Sequence, residues 1–160
     1  MASNYITVEG KRKLVEELEF LRFKTRPDVV KALSAAAAEG DRSENAEYIY
    51  RKKQLREIDR RLRYLMKRTE AVVVVDRLPS DQNKVFFGAY VTIEDQESEE
   101  VSEYRIVGVD EIDLPKGWIS VDSPMARALL SKSIDDELTL KTPEGERFLT
   151  ILEVVYQKKL

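Results

Sequence analysis

Ala38-Glu39-Gly40-Asp41-Arg42-Ser43-Glu44-Asn45-Ala46-Glu47-Tyr48 decides how the first half of this chain folds. Helical patterns run up to it and away from it. Before it, Leu14, Leu18, Leu21, Val29, Leu33 and Ala37 recur at spacings of three, four or their sums, an apolar stripe along one helix face. After it, Tyr48, Leu55, Ile58, Leu62 and Leu65 keep a heptad rhythm. Gly40 suits the C′ position that ends the first helix. The stretch is therefore the tip of an antiparallel coiled-coil hairpin. At about 30 residues per arm and roughly 1.5 Å per residue, the arms reach on the order of 45 Å. Thr7 is placed to cap the first helix at Val8, with Glu9 in its first turn. Pro27 should bend or break that helix near Thr25 and Arg26.

Composition narrows the chemistry. The 160 residues contain no Cys and no His, which removes disulfides, thiolate metal sites, Cys nucleophiles and the commonest general base. Any metal must be held by oxygen ligands, which suits Mg²⁺, Ca²⁺ or Mn²⁺. The first ten residues lack the apolar segment of a signal peptide, and the longest fully apolar run, residues 71–75, is too short to span a bilayer. The expectation is a cytoplasmic protein with no membrane partner. Residues 1–70 carry 17 Lys+Arg against 12 Asp+Glu, a net of +5; residues 71–160 carry 10 against 18, a net of −8. Two modules with different partners are implied, the basic one suited to nucleic acid or another anionic surface.

The second module changes period. Residues 71–76, 85–94, 103–110, 118–122, 137–142 and 147–156 are rich in β-branched and aromatic side chains between turn signals. One short helix fits residues 124–131, with Ser123 as N-cap and Pro124 in the first turn. The expectation is an α+β protein, with the division at residues 1–75 and 76–160. Phe86, Phe87, Tyr104, Trp118 and Phe148 are expected in the core of the sheet module rather than around a ligand pocket. The acidic stretch 94–103 reads as a solvated hairpin loop.

Two clusters invite a chemical reading. Asp41 and Glu44 have the spacing of a capping box, in which both carboxylates satisfy free amides at a helix start. Alternatively they point outward and share a hard cation, for which two carboxylates alone are too few ligands. Arg51, Lys52, Lys53 and Arg56 follow within a few turns, either as a solvated face or as a phosphate-contacting patch. No Gly-rich phosphate loop or nucleophile elbow is present.

The tip motif, residues 40–48, resembles the signature of the bacterial Gre transcript-cleavage factors. Arg42 and the run Lys52-Lys53-Gln54-Leu55-Arg56-Glu57-Ile58-Asp59-Arg60-Arg61 are similar to the GreB branch, as are residues 84–89 and 122–130. The likeness extends over essentially the whole chain. It implies an N-terminal coiled coil and a small FKBP-like sheet domain with one short helix. It also implies a monomer that binds RNA polymerase at its secondary channel and stimulates endonucleolytic cleavage of the backtracked transcript 3′ end. In that setting Asp41 and Glu44 are the catalytic and metal-binding residues, shared with the polymerase active site and its Mg²⁺; no cofactor is held tightly. The basic patch faces the RNA, and Asp122, Ser123 and Pro124 dock on the polymerase's largest subunit. The factor is then an accessory to polymerase and not itself an enzyme. Competing readings are a non-cleaving channel binder that inhibits polymerase and a stand-alone FKBP-like peptide-binding domain.

Overall fold

A computed structural model of the chain describes residues 3–40 and 45–157. It packs as two units, one of residues 11–72 and one combining residues 1–10 with 73–160. The first ten residues thus group with the sheet, whereas the sequence division at residue 75 assigns them to the hairpin.

The helical unit is the expected hairpin. Helix α1 (Val8–Phe20) runs into a π turn at Leu21–Thr25 and on into α2 (Arg26–Ala37); the return arm is a single helix, α3 (Ala46–Ala71). Pro27 neither breaks nor caps the first arm. Proline has no N–H to donate and its ring crowds the carbonyl one turn back. The preceding turn is widened instead, with the Arg26 N–H bonding the Leu21 carbonyl five residues back. The 26 residues of α3 are about 39 Å long, shorter than the sequence estimate.

Val29, Ile58 and Leu62 form the buried seam, with Leu18, Leu21 and Leu55 packed against it. Polar pairs fix the register. As the position on the first arm falls from 36 through 26 and 17 to 11, its partner rises from 45 through 59 and 61 to 69, the mark of antiparallel arms. Arg61 grips Glu17 with two nitrogens, at 2.6 and 2.8 Å. These hydrogen bonds hold the Glu17 carboxyl below its ordinary range despite partial burial. A carboxyl whose pKa is depressed by folding stabilises the fold above the ordinary carboxylate range, and that contribution is lost as the pH falls below it.

The sheet unit holds two sheets. The larger is five-stranded, in the order β5-β4-β3-β7-β6, built from β3 (Tyr90–Asp95), β4 (Val101–Val107), β5 (Trp118–Ser120), β6 (Glu137–Thr142) and β7 (Gly145–Val155). The β4–β5 pair is parallel and the others are antiparallel. The short helix α4 (Pro124–Leu129) buries Ala126 and Leu129 in the core, and Ser123 caps it by accepting from the Ala126 N–H at 3.2 Å. The α+β architecture, with one short helix against the sheet, is as expected.

The core is aliphatic. Val91, Ile93, Ile106, Ile119, Leu138, Leu140, Leu149 and Ile151 alternate inward at period two. A bulge between Thr92 and Ile93 sets Leu152 of β7 outside the pairing, so the inward phase resumes at Val154. The aromatics expected in the core lie at its edge: Phe87 and Tyr104 are partly buried against it, while Phe86 and Phe148 are 37% and 39% exposed. Tyr90, Arg105 and Trp118 are register neighbours across three strands, and the Arg105 guanidinium lies 4.8 Å from the Tyr90 ring and 4.9 Å from the Trp118 ring.

Of the second, two-stranded sheet only one strand was expected, within the β-rich residues 71–76; its partner at Tyr5–Ile6 was not. β1 (Tyr5–Ile6) pairs in parallel with β2 (Val73–Val74), flanking the points where the chain leaves and re-enters the sheet unit. Among the described residues no helix is long and apolar enough to cross a membrane.

Candidate functional site

The tip begins where α2 ends. The Ala38 N–H bonds back to the Ser34 carbonyl, and Gly40, two residues beyond that C-cap, takes φ 125°, a conformation that favours glycine. Gly40 therefore sits one place later than the C′ position expected for it. Asp41 and Glu44 lie outside the described residues.

On the return side the N-cap of α3 is Asn45, not Asp41. Its side-chain oxygen accepts from the Tyr48 N–H at 3.0 Å, so the capping-box reading of Asp41 and Glu44 does not locate the helix start. The same side chain donates from Nδ2 to the Ala36 carbonyl at 2.6 Å. One amide thus serves an orphan donor of α3 and a late carbonyl of α2 together. Sequence reasoning missed this residue. Asparagine is among the best N-caps, but the chain offered Asp41 first.

The double use of Asn45 has a measurable consequence. Asn45→Ala is expected to destabilise the hairpin by about 2 kcal/mol, combining a lost cap with a lost cross-arm bond. Asn45→Asp keeps the capping acceptor but sets a carboxylate against the Ala36 carbonyl. It should recover the helix start without the cross-arm bond. Chemical denaturation of the three proteins separates the contributions, and equal stability of wild type and Asn45→Ala would show that neither bond matters.

The four cations of the candidate basic patch are not equivalent. Arg51 is held by Glu47 at 2.7 Å and by Gln54 at 2.9 Å. Lys52 lies 5.9 Å from the Tyr48 ring and remains exposed; Lys53 and Arg56 are exposed as well. At 100° per residue, Lys52, Lys53 and Arg56 share an arc of about 100° with Arg60, Arg63 and Lys67 further along α3. All six are exposed, and none forms an ion pair with a carboxylate among the described residues.

Asp122, Ser123 and Pro124 form one short corner after β5, and each has a distinct local role. Asp122 accepts from the Ser3 N–H at 2.7 Å, Ser123 caps α4, and Pro124 is exposed at its first position. The acidic stretch spans the β3–β4 turn, where Glu97, Glu99 and Glu100 are exposed, and the start of β4, where Glu103 is exposed. Asp95 is the exception: the Ser98 and Glu97 N–H groups, with Arg147, hold its carboxyl below the ordinary range.

Phe87 and Tyr156 line an open space of about 190 Å³ with Thr7, Arg77 and Arg105. Phe86, Tyr104, Trp118 and Phe148 do not line it. Among the described residues no group of three or more carboxylates could hold a metal ion.

Comparison with known proteins covers both units. Residues 4–74 match the family described as transcription elongation factor, N-terminal, and residues 80–156 match transcription elongation factor, GreA/GreB, C-term. The chain is 60% identical to the transcription elongation factor GreB of Xanthomonas axonopodis pv. citri, over 94% of this chain and 90% of that protein. It is 56% identical to the GreB of Pasteurella multocida, over 98% of each. Among solved structures it is similar to the GreA/GreB factor from Nitrosomonas europaea, at 20% identity and TM-score 0.45, covering 98% of this chain and 100% of that one.

Proposed function

Because the chain belongs to the GreA/GreB family of transcription elongation factors, we propose that it binds RNA polymerase at the secondary channel and stimulates endonucleolytic cleavage of backtracked RNA. One observation supports the reading above the others. The arms are tied together from Lys11–Thr69 at one end to Ala36–Asn45 at the other, and the eight residues between Ala36 and Asn45 in the sequence include Asp41 and Glu44. A pair of thin arms about 39 Å long is suited to carrying two carboxylates into a narrow channel.

In this reading Asp41 and Glu44 contribute oxygen ligands toward a second Mg²⁺ in the polymerase active site, and either carboxylate orients the attacking water. Such an ion, when bound, stabilises the attacking and leaving oxygens of a phosphodiester. The donor set fits a hard cation in type but falls short in number, so the remaining ligands come from polymerase. Lys52, Lys53 and Arg56 face the extruded RNA 3′ end, with Arg51 contributing through the charge left after its pairing with Glu47. Docking on the largest subunit of polymerase falls to Asp122, Ser123 and Pro124.

The direct test is to incubate the protein with a stalled, backtracked elongation complex and read RNA length on a gel. Shortened transcripts that depend on the factor support the proposal; unchanged RNA with bound factor overturns it in favour of a non-cleaving channel binder.

Docking is tested by concentration. Pro124→Ala and Asp122→Asn are expected to raise the half-saturating factor concentration by about tenfold, a loss of roughly 1.4 kcal/mol. The maximal cleavage rate should stay nearly unchanged, since a defect restored by high concentration belongs to binding. Asn at position 122 retains an acceptor for the Ser3 N–H, which makes it a cleaner probe than alanine. Ser123→Ala is a poor probe because it also removes the cap of α4. Unchanged affinity in the folded double variant would place docking elsewhere on this unit.

A further inference from the structure

The first turn of α1 is built around one distant carboxylate. Glu111, at the end of the 3₁₀ turn Val109–Glu111, accepts from the Thr7 N–H at 3.1 Å, from the Gly108 N–H at 2.9 Å and from the Thr7 hydroxyl. That hydroxyl in turn accepts from the Gly10 N–H at 3.0 Å, as an N-cap does. Thr7 is 5% exposed and lies 104 positions from Glu111. An ordinary cap is a local arrangement; this one is itself anchored by a residue 104 positions away.

Two glycines make room for it. A Cβ at Gly10 would stand 2.2 Å from Oε1 of Glu111, and one at Gly108 would stand 2.3 Å from the Tyr5 carbonyl. Glycine in the first turn of a helix weakens that helix by about 1 kcal/mol relative to alanine. Its presence at position 10 is explained by the carboxylate that occupies the space. All of these groups belong to the sheet unit, and the chain leaves that unit immediately after Gly10.

We propose that Glu111 is a positioning residue for the cleavage reaction. By holding the Thr7 side chain and amide, it fixes the capped first turn of α1, the helix whose arm leads on toward Asp41 and Glu44. The proposal rests on the function proposed above. Glu111 touches neither RNA nor the reacting atoms; it acts through Thr7 and the first turn. A displacement of about an ångström at a reacting centre can lower rates by as much as a hundredfold.

The test uses the full chain with Glu111→Ala, Glu111→Gln and Thr7→Val, read in the backtracked-complex assay and by amide hydrogen exchange. Glu111→Ala should lower the maximal cleavage rate at saturating factor by about tenfold and leave the half-saturating concentration within about twofold of wild type. Glu111→Gln, which keeps one acceptor oxygen, should fall between. Exchange at the Gly10 and Gly108 amides should quicken by about tenfold in Glu111→Ala, with α3 unaffected. Thr7→Val removes the hydroxyl at nearly constant volume and should reproduce the rate defect if Glu111→Ala folds poorly. A wild-type maximal rate in a variant whose Gly10 amide has lost protection overturns the proposal. So does unaltered exchange at Gly10 and Gly108, whatever the cleavage assay reports. If wild type itself fails to stimulate cleavage, the function proposed above falls, and the exchange result still decides whether the clamp exists.

Discussion

Asp41→Ala or Glu44→Ala is expected to abolish stimulated transcript cleavage, by a hundredfold or more (order of magnitude), while polymerase affinity stays within about twofold of wild type. The separation follows from the division of labour proposed for the two units. In that proposal the tip carboxylates would supply ligands to an ion shared with polymerase, so losing one would remove an interaction needed in the transition state. The corner at Asp122–Pro124, to which docking is assigned in the proposal, is untouched. The identity of the α3 cap sharpens the prediction. Asn45, not Asp41, accepts the Tyr48 N–H, so Asp41→Ala does not remove that cap and its thermal melt should match wild type. Asp41→Asn is the stricter variant, since it keeps the shape and loses only the charge. Normal cleavage by a folded Asp41→Ala, Glu44→Ala double variant would end the metal-delivery idea.

Gly117→Ala carries the largest expected effect on stability. Gly117 takes φ 78°, in the left-handed region, and a Cβ there would lie 2.5 Å from the Glu103 carbonyl oxygen, a backbone atom that cannot swing aside. Its own carbonyl accepts from the Arg105 N–H, just before the parallel β4–β5 pairing begins. Strain and steric overlap together should cost about 2–4 kcal/mol. Gly88 is the matched control, with φ 89° but nothing within 4 Å of its added Cβ, and Gly88→Ala should cost only about 1 kcal/mol. Urea unfolding of both variants measures the difference. Because β5 leads directly to Asp122, a folded Gly117→Ala should also lose some polymerase affinity. Equal costs at the two glycines would mean that β4 yields to the intruding methyl.

The hairpin was legible because Leu55, Ile58, Leu62 and Leu65 repeat at helical spacing over many turns, and an apolar seam of that length leaves few alternatives. The α4 cap was equally plain, since Ser-Pro before a short apolar run combines a capping hydroxyl with a proline in the first turn. What escaped was non-local. Tyr5–Ile6 is too short to display a period, and its partner lies beyond both arms. The start of α3 was read from Asp41, and Asn45 was overlooked, because both residue types are good caps and which one is used depends on how the arms meet at Ala36. Glu111 carried no local signal. The one available hint was Gly10, a residue that a free helix start would not select. The aromatics misled for another reason: Trp118 and Tyr90 flank Arg105 across the strands rather than filling the interior.

The grouping of residues 1–10 with residues 73–160 makes the hairpin an insertion within the sheet unit, and this bears on the order of synthesis. Ser3 and Thr7 emerge from the ribosome well before their partners Asp122 and Glu111, which follow 119 and 104 positions later. At about 5–20 residues per second, the leading segment waits on the order of 5–25 seconds for them. The arms, whose partners are closer along the chain at the tip, can close from that end in the meantime. The sheet unit is therefore completed by its oldest residues, and a fragment cut at residue 76 would lack β1, β2 and the Thr7 that Glu111 grips.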